Sequence, residues 1–183
     1  MPSSVCPRLQ FCAPQSKLQE TVPSAPHTQR IRLAVFDSRV PDLDVLLAGL
    51  QVGVRPFVLA GDKDGVTQIS EVLQLLPIHE MEIVAPGFRG GIHLGSTALT
   101  LGNLTQYEHQ LRGWFGEVDS PELSLLASNV AGGEVGNEFI TQLTAITGAT
   151  VRASTQRIGQ GQWLTATAKT FKPLVLNTYS ATI

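Results

Sequence analysis

Apolar residues along the chain recur at two spacings, and from Ile31 onward they divide it into alternating short strands and helices. IRLAVFD, closing on Asp37, predicts a first buried strand, and the residues from Ser38 to Pro41 interrupt it. Pro41 suits the first turn of a helix, and DLDVLLAGL then puts Leu43, Leu46, Leu47 and Leu50 on one side. Arg55 to Ala60 predicts a second strand, and residues 61–65 a turn. Val66, Ile69, Val72, Leu73 and Leu76 repeat at helical spacing until Pro77 stops them. A third strand, Met81 to Ala85, ends at Pro86-Gly87. Ile92 to Leu94 and Ala98 to Leu101 flank Gly95-Ser96 and predict a hairpin projecting from the sheet end. Asn103 is placed to cap a helix through Tyr107, Leu111 and Trp114 that ends near Gly116.

The most informative stretch is LSLLASNVAGGEVGNEFI, residues 123–140. An apolar strand, Leu123 to Ala127, stops at Ser128-Asn129, a glycine turn follows, and a helix starts at Glu134. Val135, Phe139, Leu143 and Ile146 share one face of that helix, and Gly148 suits its C-cap. A buried strand that feeds a tight loop and a helix N-terminus is a usual setting for a nucleophile or an anion, because the helix-start amides and dipole favour negative charge. Val151 to Ser154 and Gln162 to Ala168 predict two further strands. Lys172 to Ile183 is weakly patterned, as for a segment that wraps the surface or begins a linker. Strands alternating with helices predict an α/β fold with a mainly parallel sheet covered on both faces. Ligands in such sheets gather beyond the carboxyl ends of the strands, which directs attention to Ala85-Pro86-Gly87 and Ala127-Ser128-Asn129.

Composition narrows the picture. A chain of 183 residues suits one domain with a good core. Residues 1–29, rich in Pro, Ser, Gln and Thr, read as a flexible tail, residues 30–170 as the α/β domain and residues 171–183 as a C-terminal extension. Thirteen basic against 15 acidic residues give a net charge of −2, with no basic block, so nucleic acid is not an expected partner. Cys6 and Cys12 both lie in the tail, which excludes a disulfide framework, a thiolate metal site and a cysteine nucleophile from the folded part. No apolar run has the length of a membrane span, and MPSSVCPRLQFCAPQ has neither the basic start nor the apolar stretch of a Sec signal. Direct membrane insertion is therefore not expected, while export by another route stays open. The Asp spacing in Gly61-Asp-Lys-Asp-Gly65 resembles a calcium loop, but its later ligand positions are apolar or neutral, so no metal is assigned.

The blocks VFDSRVPDLDVLLAGL, LAGDKDGVTQISEVL, IHEMEIVAPG, GIHLGSTALTLGNLTQY, LLASNVAGGEVGNEFITQLTAITGATVRAS and GQWLTATAK, in this order, resemble one bacterial family of cyanobacterial type. It is a domain of unknown function that usually sits at the N-terminus of large, repeat-containing surface or adhesin-like proteins. The resemblance covers about residues 31–169. That family is similar to caspase-like cysteine peptidases, which implies a three-layer sandwich: a mainly parallel caspase-like sheet, helices on both faces and a small β-hairpin. It also implies a His before glycine at one strand end and a Cys before Asn-Val-Ala at the next. Here the first position is Pro86, with Gly87 kept, and the second is Ser128, with Asn129, Val130 and Ala131 kept. Proline has no ionisable group and cannot take a proton. A serine hydroxyl is inert at neutral pH without an adjacent base. The dyad is absent as such, and the resemblance implies a pseudo-peptidase rather than an enzyme.

Other marked residues have plainer roles beside the functional ones. His93, in the predicted hairpin, is the imidazole best placed to fold back toward Ser128, though a half-exposed hairpin residue is the simpler reading. His79 sits at the opposite end of its strand, His109 on a helix flank and His27 in the tail, and none has a metal-ligand spacing. Asp37 either lines the same strand-end face or caps the loop into the first helix. Glu134 and Glu138 complement a helix start, and Trp114 and Trp163 suit core anchors. Arg89, beside two glycines, is the best exposed contact. Gly87, Arg89, His93 and Asn129 are the binding candidates, with no cofactor. Three readings follow: a non-catalytic interaction or assembly module for a protein partner, a hydrolase using Ser128, and a structural subunit docked by its N-terminal tail. The resemblance implies a surface or exported location and leaves a cytoplasmic one open.

Overall fold

Side chains of the first predicted strand alternate between two apolar environments, and this alternation builds the molecule. The computed structural model describes residues 30–164, 167 and 169–183. The predicted tail, with Cys6, Cys12 and His27, lies outside the described residues. Strands β1 (Arg32–Asp37), β2 (Val54–Leu59), β3 (Glu80–Val84), β7 (Glu122–Leu126) and β8 (Thr150–Ala153) form one parallel sheet in the order β2-β1-β3-β7-β8. Leu33, Val35, Met81, Ile83, Leu123 and Leu125 face one core, with α2 (Gly65–Leu73), α3 (Glu108–Arg112) and α4 (Gly133–Thr147). Ala34, Phe36, Val84 and Leu126 face the other, with α1 (Leu43–Ala48) and α5 (Pro173–Thr178). The result is an α/β sandwich of three layers, with the sheet in the middle. A small antiparallel sheet of β4 (Gly87–Phe88), β5 (Gly91–Leu94) and β6 (Thr97–Thr100) projects from the end of β3.

Several elements differ from the sequence reading, each for a physical reason. Asp42 takes a left-handed backbone, φ 48°, so Pro41 lies in the turn ahead of α1 instead of in its first turn. Asn103 does not cap a long helix. Its Oδ1 accepts from the Thr100 amide at 2.8 Å and its Nδ2 donates to the Ala98 carbonyl at 2.9 Å, which ties off the hairpin in a run of turns. The helix α3 begins only at Glu108. Asp64, in the calcium-like loop, instead caps α2 by accepting from the Thr67 amide at 2.8 Å. Its other oxygen accepts from the hydroxyls of Thr97 and Tyr107, both at 2.6 Å.

Gln162 to Ala168 is not a strand where it is described. Gly159, Gln160 and Gly161 all have positive φ, and Gly159 and Gln162 exchange main-chain bonds at 2.9 Å, which turns the chain back on itself. Thr165, Ala166 and Ala168 lie outside the described residues. The weakly patterned end of the chain packs against the sheet. Phe171 and Tyr179 are buried in the second core, where Phe171 meets Phe36 edge-on with ring centroids 6.1 Å apart. No helix among the described residues is long and apolar enough to cross a membrane.

Candidate functional site

The sheet order reverses at β1, and β3 and β7 lie side by side, so their carboxyl ends open onto one place. The loops that follow are locked together. The Gly90 amide donates to the Val130 carbonyl at 3.0 Å, and the His93 amide donates to the Pro86 carbonyl at 2.9 Å. Gly87 is required there: a Cβ would lie 2.7 Å from the Ala127 Cβ and 2.8 Å from the Ser128 carbonyl. Pro86, Gly87, His93, Ser128 and Asn129 are thus brought together, and Arg89 lies over the turn into α4, its Cγ 3.2 Å from where a Gly132 Cβ would be. Asn129 accepts a left-handed conformation, φ 61°, which turns the chain sharply after β7.

Ser128 is buried, and its hydroxyl is already engaged. Oγ accepts from the Ile158 amide at 2.9 Å and donates to the main-chain oxygen of Ile183. The Ser128 amide donates to that same Ile183 oxygen at 3.0 Å. Both partners belong to the C-terminal part of the chain, which lies across the strand end. The His93 ring packs instead on Phe88, with centroids 5.1 Å apart. His79 Nδ1 accepts from the Ile31 amide at 3.3 Å, at the amino end of the sheet. No imidazole among the described residues hydrogen-bonds the Ser128 hydroxyl.

Asp37, at the end of β1, is separated from β7 by β3 and is wholly buried. Its Oδ1 takes the Arg39 amide at 2.9 Å and Arg39 Nε at 2.8 Å. Its Oδ2 takes Arg39 Nη2 at 2.9 Å and the Gly95 amide at 2.7 Å. Burial pushes this carboxyl up, but the Arg39 pair and the two amides more than offset that and hold it below the ordinary range. The carboxylate caps its loop and also anchors the tip of the β5–β6 hairpin. Glu134 lies in the first turn of α4, and Glu138 accepts from Gln142 Nε2 at 3.2 Å. Trp114 is a core anchor whose Nε1 donates to Ser70 Oγ at 3.0 Å. Trp163 is half-buried, with Nε1 donating to the Leu176 carbonyl at 2.8 Å.

Among the described residues, no three His, Cys, Asp or Glu side chains are grouped to hold a metal ion. An open groove of about 730 Å³ lies beside β8, lined by Ile140, Val151, Ala153, Leu164 and Lys169 among others, and does not include Pro86 or Ser128. Sequence reasoning missed Glu82 on β3, a buried carboxyl whose Oε2 has no hydrogen-bond partner among the described residues. The available signal was a carboxylate inside the otherwise apolar strand Met81 to Ala85.

Residues 33–182 match a family described as a domain of unknown function, DUF4347, and the chain belongs to that family. No curated protein matches the sequence.

Proposed function

We propose, with that family membership as the premise, that this chain is a non-catalytic, caspase-like domain that works as a protein-interaction or assembly module. The observation that carries the reading is the state of Ser128: its hydroxyl is shared between the Ile158 amide and the Ile183 oxygen. A nucleophilic serine needs a base beside it and room for an electrophile. This one has main chain on both sides. The neighbouring strand ends at Pro86-Gly87, the place where the caspase-like resemblance puts its histidine, and a pyrrolidine ring moves no protons. The frame, meaning the parallel sheet, the tight Gly87 contact and the Asn129 turn, is kept without the reactive groups.

In this reading the loops after β3 and β7 form the contact surface, with exposed Arg89 and half-buried His93 on it. Peptide and ester substrates test the chemistry: wild type and Ser128→Ala are expected to give the same background rate. Turnover by wild type that Ser128→Ala abolishes would favour the hydrolase. Retention in the complex recovered from the source organism tests the surface. Arg89→Glu is expected to lower it, whereas loss only on deletion of residues 1–29 would favour docking by the tail.

A further inference from the structure

Glu82 points into the second core, level with Ala34 on β1 and Ser124 on β7. It is 7% exposed, and Oε2 has no partner among the described residues. Thr167, wholly buried, likewise leaves Oγ1 without one, and the buried Thr170 side chain favours the charged form of Glu82 but offsets only part of the effect of burial. Glu82 therefore lies under the start of the segment that crosses the sheet and ends against Ser128. That segment is tied at intervals to the loops around the sheet, with Gln51 Nε2 donating to the Phe171 carbonyl and Trp163 Nε1 to the Leu176 carbonyl. The Gln51 amide donates to the Thr170 carbonyl at 2.7 Å and the Lys172 amide to the Gly49 carbonyl at 2.8 Å. Tyr179 Oη donates to the Pro41 carbonyl at 2.8 Å, and the Ile183 amide to the Ile158 carbonyl at 2.9 Å.

The charges of Glu80, Arg32 and Lys169 act on Glu82, yet none forms an ion pair with it among the described residues. Arg32 on β1 directs its guanidinium to the Lys169 and Val52 carbonyls. Lys169 lies 3.8 Å from Glu122 on β7, and Arg152 on β8 pairs with that same Glu122 at 2.6 Å. Glu80, on the same strand, adds like charge and pairs with Arg30 at 3.4 Å. An ionised Glu82 would be a buried, unpaired charge, which a protein relieves by letting water in.

We propose that residues 169–183 are a pH-sensitive strap, seated across the sheet while Glu82 carries its proton and loosened when Glu82 ionises, which uncovers the strand end at Ser128. This goes beyond the proposed function and does not depend on it. The direction follows from linkage. Burial, chiefly, pushes the seated Glu82 up to about 7 from its ordinary 4.5, to which it returns once wetted. The seated form therefore holds more protons between those values. Seating is strongest below the lower value, weakens as pH rises toward the upper one, and levels off beyond it.

Hydrogen exchange read by mass spectrometry on the intact protein, from about pH 5 to about pH 8 and corrected for intrinsic exchange, tests this. Peptides covering residues 169–183 are expected to lose at least about tenfold in protection across that range, while β1 and β7 keep theirs. Glu82→Gln, which keeps the shape without the charge, is expected to flatten the profile, and Glu138→Gln, at an exposed position of α4 across the sheet, to leave it as in wild type. A strap equally protected at both ends of the range in wild type overturns the proposal, and that result needs no variant to fold. So does a pH dependence that survives in Glu82→Gln.

Discussion

Asp37 sets the strongest single-residue constraint at the carboxyl edge of the sheet. One carboxylate holds its own loop through Arg39 and the hairpin tip through the Gly95 amide. Asp37→Asn keeps the size but loses the charge-assisted bonds, and is expected to cost about 2 kcal/mol at neutral pH in urea unfolding. Because the folded carboxyl titrates below its ordinary 3.8, its contribution is present above that value and disappears as pH falls through the folded one. The gap between wild type and variant should therefore narrow in acid. The sequence left two roles open for Asp37, and a residue two positions away decided between them. A bond between Asp37 and Arg39 is local enough to guess, but the Gly95 contact depends on where the hairpin folds back.

Helix α4 shows what periodicity conveys and what it misses. Its length, start and Gly148 cap follow from the sequence, with Gly148 at φ 69°. Phe139 and Leu143 are buried as the helical spacing predicts, but Val135 is 53% exposed and Gly136 takes its place against the preceding turn. A wheel of apolar residues cannot see that the helix start is pressed onto main chain, where a side chain has no room. A Cβ at Gly136 would strike the Ala131 main chain and lie 2.6 Å from the Val130 carbonyl. Gly136→Ala would gain about 1 kcal/mol in helix propensity elsewhere. Here it is expected to be a net loss of about 1–3 kcal/mol, because the backbone it meets cannot step aside. Val135→Ala should stay within about 1 kcal/mol of wild type in the same denaturation experiment.

At the scale of the whole molecule, the parallel sheet and its strand ends were readable because each buried strand is a short apolar run between turn residues. The C-terminal part was not, since its hold on the sheet comes from scattered anchors such as Phe171 and Tyr179 and from main-chain ties that leave no periodic trace. That hidden part decides the candidate site: the sequence reading put Pro86 and Ser128 at two strand ends, the sheet order makes those ends neighbours, and the C-terminal segment supplies the Ile183 oxygen bonded to the hydroxyl. The central claim is that this hydroxyl is not a nucleophile. Intact-mass spectrometry after incubation with a serine-reactive fluorophosphonate tests it most directly. The protein is expected to stay unmodified at neutral pH; a single adduct that maps to Ser128 and vanishes in Ser128→Ala would overturn this reading.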